Sequence, residues 1–194
     1  MDERRHLTDP GEIRALAHPV RQRIMRVLWS LRSATATEIA DAVGESPANC
    51  SWHLRQLAKH GFVEETGEGR GRRRPWRPAS RSLRWGGSTE SGGAAAASDE
   101  LSAVVMEEEF EGLRAWNTWR RTDPPEWQDV ADFSQALAWL TVEELAEVQA
   151  EFVAIMTRYR DRERPPGARP IRMFAWAVPA EPMPADSKPA EPMS

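Results

Sequence analysis

Between Ser46 and Gly61 the chain reads Ser-Pro-Ala-Asn-Cys-Ser-Trp-His-Leu-Arg-Gln-Leu-Ala-Lys-His-Gly, a helix with both ends marked. A serine hydroxyl accepts from the orphan N–H groups of a first turn. Pro47 suits the first helical position, where its missing N–H costs nothing. Gly61 follows the last turn, where a left-handed residue closes a helix at little strain. Cys50, Leu54 and Leu57 share one face at spacings of four and three. Asn49, Ser51, Trp52, Arg55 and Gln56 lie off that face, and they include side chains able to form paired hydrogen bonds with base edges. Taken alone, such a helix fits a solvated surface equally well, so its neighbours decide.

Upstream, Thr35-Ala36-Thr37-Glu38 fits a capping box, in which the threonine hydroxyl bonds forward and the glutamate reaches back. It starts a short helix, Thr37 to Val43, with Ile39, Ala40 and Val43 inward and Gly44 at its end. Two short helices joined by a glycine-containing turn form a helix-turn-helix, with the second as recognition helix. Before them, Asp9-Pro10-Gly11 opens a short helical segment, and Pro19 to about Leu31 carries an apolar stripe of Val20, Ile24, Val27, Leu28 and Leu31. His18, ahead of Pro19, is expected to cap or pack.

Downstream, Phe62-Val63-Glu64-Glu65-Thr66 favours a strand, residues 67–71 a flexible tip, and residues 72–78 a return strand. Pro75 and Pro78 lack ladder donors, so the return strand is expected at an edge. A hairpin in this place is a wing. Arg70, Arg72, Arg73, Arg74 and Arg77 crowd its tip and return strand and match phosphate oxygens or a narrow minor groove.

These blocks together resemble the winged helix-turn-helix of the ArsR family of bacterial transcriptional regulators. They are Leu16-Ala17-His18-Pro19-Val20-Arg21, the Thr35–Gly44 stretch, Ser51-Trp52-His53-Leu54-Arg55-Gln56-Leu57, and Gly61-Phe62-Val63-Glu64. The likeness covers about residues 10–80, and Ser-x-His-Leu-x-x-Leu is its most specific part. It implies a homodimer that binds a partly palindromic operator in double-stranded DNA and usually represses. It also implies that Asn49, Ser51, Trp52, Arg55 and Gln56 approach the major groove with the wing at the flank. His53 is expected to be half-buried, structural, and within reach of a phosphate. The expected DNA-binding set is Ser46, Asn49, Ser51, Trp52, Arg55, Gln56, Arg70, Arg72, Arg73 and Arg74.

One departure bears on the signal. Metal-sensing members carry a Cys-x-Cys pair ahead of the recognition helix, or Asp and His ligands on a C-terminal helix. Here that first place reads Thr37-Glu38-Ile39-Ala40-Asp41, and all four histidines (His6, His18, His53, His60) precede residue 61. A soft-metal site needs convergent thiolates or imidazoles, so no metal and no cofactor is expected. Any effector should be organic or a protein. Phosphate loops, nucleophile–base signatures and paired carboxylates are missing too, so no enzyme is expected.

Charge supports a division of labour. The 194 residues carry a formal net charge of −4, but residues 1–85 hold 16 Lys+Arg against 10 Asp+Glu, whereas residues 86–194 hold 10 against 20. The basic half can face a polyanion. A single cysteine excludes an internal disulfide. With no apolar run near membrane-span length and no apolar signal core after Met1, the chain is expected in the cytoplasm, associated with the nucleoid.

The second half divides less clearly. Residues 86–98, rich in Gly, Ser and Ala, read as a linker, flexible at first, with nascent helix an alternative over the alanines. Ser98-Asp99-Glu100 reads as the cap of a helix running to about Arg121, with Met106, Phe110, Leu113 and Asn117 on one stripe. Glu107-Glu108-Glu109 reads as a solvated face. Residues 127–140 fit strand or helix. Thr141-Val142-Glu143-Glu144 is a second capping box, and Leu145, Val148, Phe152, Ile155 and Tyr159 after it form a heptad seam that calls for another helix. Arg169 to Val178 suggests a short closing strand. Residues 179–194 read as a disordered tail. Five of the nine tryptophans lie in this half, either lining an effector pocket or packing the core and a dimer interface.

The expected fold is therefore mainly α with a small β-hairpin wing: a winged helix-turn-helix at 10–85, the linker, and an α-helical dimerisation or effector region at 99–178. The alternative function is a winged-helix protein-interaction module whose basic wing binds an acidic protein.

Overall fold

The computed structural model describes residues 5–68, 74–80, 82–90, 92–159 and 162–182. The chain divides into two compact units, Met1–Ala131 and Asp132–Ser194.

The first unit is mainly helical with two small sheets. Its order is β1 (Arg5–His6), α1 (Pro10–Leu16), α2 (Pro19–Leu31), α3 (Ala36–Val43), α4 (Pro47–Lys59), β2 (Val63–Glu65), β3 (Trp76–Pro78), β4 (Leu83–Arg84) and α5 (Gly92–Trp119). A 3-10 turn (Arg120–Thr122) and the short α6 (Pro125–Gln128) follow. Local chemistry marks the helix starts. Asp9 caps α1 by accepting from the Glu12 N–H at 2.8 Å. His18 caps α2, its Nδ1 accepting from the Val20 N–H at 3.2 Å. Thr35 and Glu38 close the expected box on α3. Gly44 then takes φ +72° to end α3, a conformation in which a Cβ would be strained.

The core is one cluster. Leu7, Ile13, Leu16, Ile24, Met25, Leu28, Ile39, Cys50, Leu54, Leu57, Phe62 and Leu101 are all almost fully removed from solvent. Burying each large apolar side chain contributes about 1.5–3 kcal/mol. Around this cluster α3 packs on α4, both contact α2, and α1 lies along α5.

The wing hairpin forms as expected, with β2 antiparallel to β3 in the register Val63↔Pro78, Glu64↔Arg77 and Glu65↔Trp76. The return strand is not a bare edge, however. Trp76 exchanges both backbone hydrogen bonds with Ala34, at 2.8 and 3.0 Å, so the link between α2 and α3 supplies a third rung. Trp76 and Arg77 stand between the two prolines and keep their donors, Arg77 opposite Glu64 of β2 and Trp76 toward Ala34. The parallel pair β1–β4 was not foreseen.

Residues 92–98, expected within a flexible linker, form the first two turns of α5. Ala94, Ala97 and Ser98 are buried there, so Ser98 is not a helix cap. The physical reason is size, since the small alanine side chains leave room for α1 to lie close along α5. Further along α5 the expected stripe of Met106, Phe110 and Leu113 is exposed, at 45%, 43% and 38%. Glu108, expected on a solvated face, is buried instead.

In the second unit α7 (Val142–Arg158) starts at the expected capping box of Thr141 and Glu144. Its seam is open: Leu145, Val148 and Phe152 are half-buried, while Ile155 and Tyr159 are exposed. The expected strand over 169–178 does not form, and no neighbouring strand among the described residues offers it a ladder. No helix among the described residues is long and apolar enough to cross a membrane.

Candidate nucleic-acid interface

Helix α4 is two-sided. Cys50, His53, Leu54 and Leu57 are buried against the domain, while Trp52 is 47% exposed and Arg55 is exposed. Asn49, Ser51 and Gln56 lie half-buried at the margin.

At the start of the helix several polar groups are already engaged. Ser46 Oγ accepts from the Asn49 N–H at 3.1 Å, which makes Ser46 the cap. The Asn49 side-chain amide donates to Glu45 Oε2 at 2.8 Å. Ser51 Oγ donates to the Pro47 carbonyl at 2.7 Å, which leaves its oxygen able to accept.

The far end of α4 is tied by a residue that sequence reasoning missed. The Arg5 guanidinium donates to the Gly61 carbonyl at 2.7 Å and to the His60 carbonyl at 2.9 Å. It also pairs with Glu12 at 3.0 Å and lies over the Phe62 ring, 4.6 Å from its centroid. A cation at a helix C-terminus satisfies orphan carbonyls and the helix dipole together. Gly61, at φ +68°, lets the backbone turn beneath this guanidinium. The only sequence cue was an arginine near the N-terminus, and nothing local to it points 55 residues ahead.

His53 is not half-buried as expected. It is 3% exposed, with its ring 4.7 Å from that of His18 and 4.8 Å from that of Trp52. So placed, it props Trp52 outward and has no access to a phosphate. Burial first lowers the pKa of both histidines below the ordinary 6.5; Arg21 and then Arg23 add to the shift of His18, and His18 and then Arg21 to that of His53. Glu45 opposes the shift in both. As pH falls, the unfolded chain therefore takes up these protons before the folded one does. Their contribution is fully present above about pH 6.5 and is lost as pH drops through that value toward the folded pKa values. Melting temperature should fall from about pH 8 to about pH 5.5, and His53→Gln should flatten the fall. Thermal unfolding across that range measures both, and equal slopes in the two proteins would contradict the assignment.

On the wing, Arg70, Arg72 and Arg73 lie outside the described residues. Arg74 pairs with Glu65 at 3.1 Å and Arg77 with Glu64 at 2.8 Å, both across the hairpin. Such exposed pairs are worth at most about 1 kcal/mol, so a phosphate can displace the carboxylate. No three His, Cys, Asp or Glu side chains converge in metal-binding fashion among the described residues. The Cys50 thiol is buried, and burial pushes its pKa up.

A capped helix, a glycine turn and a second helix with one buried and one exposed side are thus in place. Residues 16–66 match the helix-turn-helix domain family. The match begins at the last residue of α1 and runs one residue past β2, so it takes in the whole helix-turn-helix and the first wing strand. No curated protein matches the chain.

Proposed function

We propose that this protein is a sequence-specific regulator of transcription of the ArsR type, a repressor that binds a partly palindromic operator in double-stranded DNA as a homodimer. The observation that carries the reading is the two-sidedness of α4 within a helix-turn-helix domain. Asn49, Ser51, Trp52, Arg55 and Gln56 face the major groove, and Ser46 holds the helix start that approaches the phosphates. A dimer places two such helices in successive grooves, about 34 Å apart. The uncovered apolar side of α5 around Met106, Phe110 and Leu113 is in keeping with a second copy. Any effector is of organic or protein type, because the sequence lacks the Cys-x-Cys pair and C-terminal histidines that a soft-metal site would use, and the reading needs no catalytic group, metal or cofactor. Its place of action is the nucleoid, in the cytoplasm.

Selection from a randomised duplex library, followed by a mobility shift at several salt concentrations and sedimentation of the complex, tests this reading. A palindromic consensus bound by two chains supports it. Salt-independent or absent retention of every duplex favours the alternative, a winged-helix module for an acidic protein.

The wing makes a separate expectation. Replacing Arg72, Arg73 and Arg74 with alanine should weaken binding to all sequences alike. It should also flatten the slope of log K against log salt by about 0.9 per lost phosphate contact. An unchanged slope would remove the wing from the interface.

A further inference from the structure

A continuous line of charged and polar groups runs from the middle of α5 to the first turn of α4. Glu108 is 7% exposed at its side chain and receives Arg23 on one carboxylate oxygen and Arg26 on the other, each at 3.3 Å. The same Arg23 reaches Glu45 Oε1 at 3.4 Å with its other terminal nitrogen. Glu45 lies between α3 and α4, one residue before the cap Ser46, and its second oxygen holds the Asn49 amide at 2.8 Å. We infer that Glu108, Arg23 and Glu45 are positioning residues that set the Asn49 amide, so that α5 governs how the recognition helix presents it. The inference rests on the DNA-reading role proposed for α4.

Three features support it. A carboxylate only accepts, so Glu45 must take the NH2 group of Asn49, which fixes the amide orientation. The carbonyl edge and one N–H are left for a base. Next, the Arg23 contacts, at 3.3 and 3.4 Å, are long for charge-assisted hydrogen bonds, whose usual range is about 2.7–2.9 Å. Arg23 is therefore shared between two carboxylates, and a change at one redistributes it toward the other. Finally, Glu108 is buried where α5 meets α2, so its charge is held by the arginines of α2 that face it. Loss of its charge sends Arg23 to Glu45, and Glu45 loosens from Asn49. Displacing α5 from α2 has the same effect, which gives a signal on α5 a physical route to base recognition.

The test uses the full chain, isotope-labelled, with the Asn49 side-chain amide resonances identified by their loss in Asn49→Ser. Glu108→Gln keeps the shape and removes the charge. It should move the Asn49 amide protons upfield as their carboxylate acceptor withdraws. Arg23→Lys, which keeps the charge but loses the fork that spans two carboxylates, should move the same resonances and serves where Glu108→Gln does not fold. On the duplex enriched from a randomised library, the effects of Glu108→Gln and Asn49→Ala should combine several-fold away from the product of the two. Unmoved resonances, or effects that multiply independently, overturn the inference. If no duplex is enriched while the Asn49 resonances still respond to Glu108→Gln, the DNA-reading role falls and the positioning line stands.

Discussion

Leu54→Ala should lower the melting temperature by on the order of 10 °C, whatever DNA is present. Leu54 is completely buried on the inner side of α4, in one cluster with Leu57, Cys50, Ile39 and Phe62. Truncation there removes the transfer energy of its methyl groups and leaves a cavity, together about 2–5 kcal/mol. The surrounding side chains come from several helices, so the site collapses poorly. Thermal unfolding with and without duplex measures it. A variant that melts with the wild type would mean that α4 is not held to the domain through this side chain.

Arg55→Ala should fail in the opposite way. Arg55 is exposed, one residue along the same helix, and no core contact depends on it. The variant should keep its melting temperature and lose about 1–3 kcal/mol of discrimination at a single base pair, as removal of a paired guanidinium contact does. Binding to the enriched duplex and to each single-base variant resolves that position. Wild-type affinity and selectivity in Arg55→Ala would sever this residue from base reading and strengthen the protein-interaction alternative. Measured side by side, the two substitutions separate the side of α4 that holds from the side proposed to read.

Most of α1 to α4 was legible because its signals are local. Asp9, Thr35 with Glu38, Ser46 with Pro47, and Gly44 each act within a turn of their own position. The apolar spacing of Cys50, Leu54 and Leu57 also named their buried side correctly. What escaped was set by partners far along the chain. Glu108 looks solvated among its neighbouring glutamates, yet it is buried against Arg23 and Arg26, 85 and 82 residues earlier. The pair β1–β4 joins two strands of two residues each, too short to carry an alternation. Trp76 pairs with Ala34 through backbone atoms alone, which no side-chain pattern records. The half-burial expected for His53 was wrong because the ring of His18, the cap of α2, lies against its own. In the second unit the capping box of α7 was plain, but an amphipathic seam says only that something should cover it.

The packing of α1 along α5 changes what can be cut from this protein. Leu7, Ile13, Ala15 and Leu16 share one apolar cluster with Ala94, Ala97 and Leu101. A fragment ending near residue 85, where the composition turns rich in glycine and serine, would open that cluster to water. Starting at Asp9 or Pro10 would take away Arg5, and with it the bonds that close the end of α4. The smallest excisable DNA-binding piece therefore reaches from Arg5 past Leu101, and through Glu108 where the pairing of Arg23 and Arg26 is to be kept.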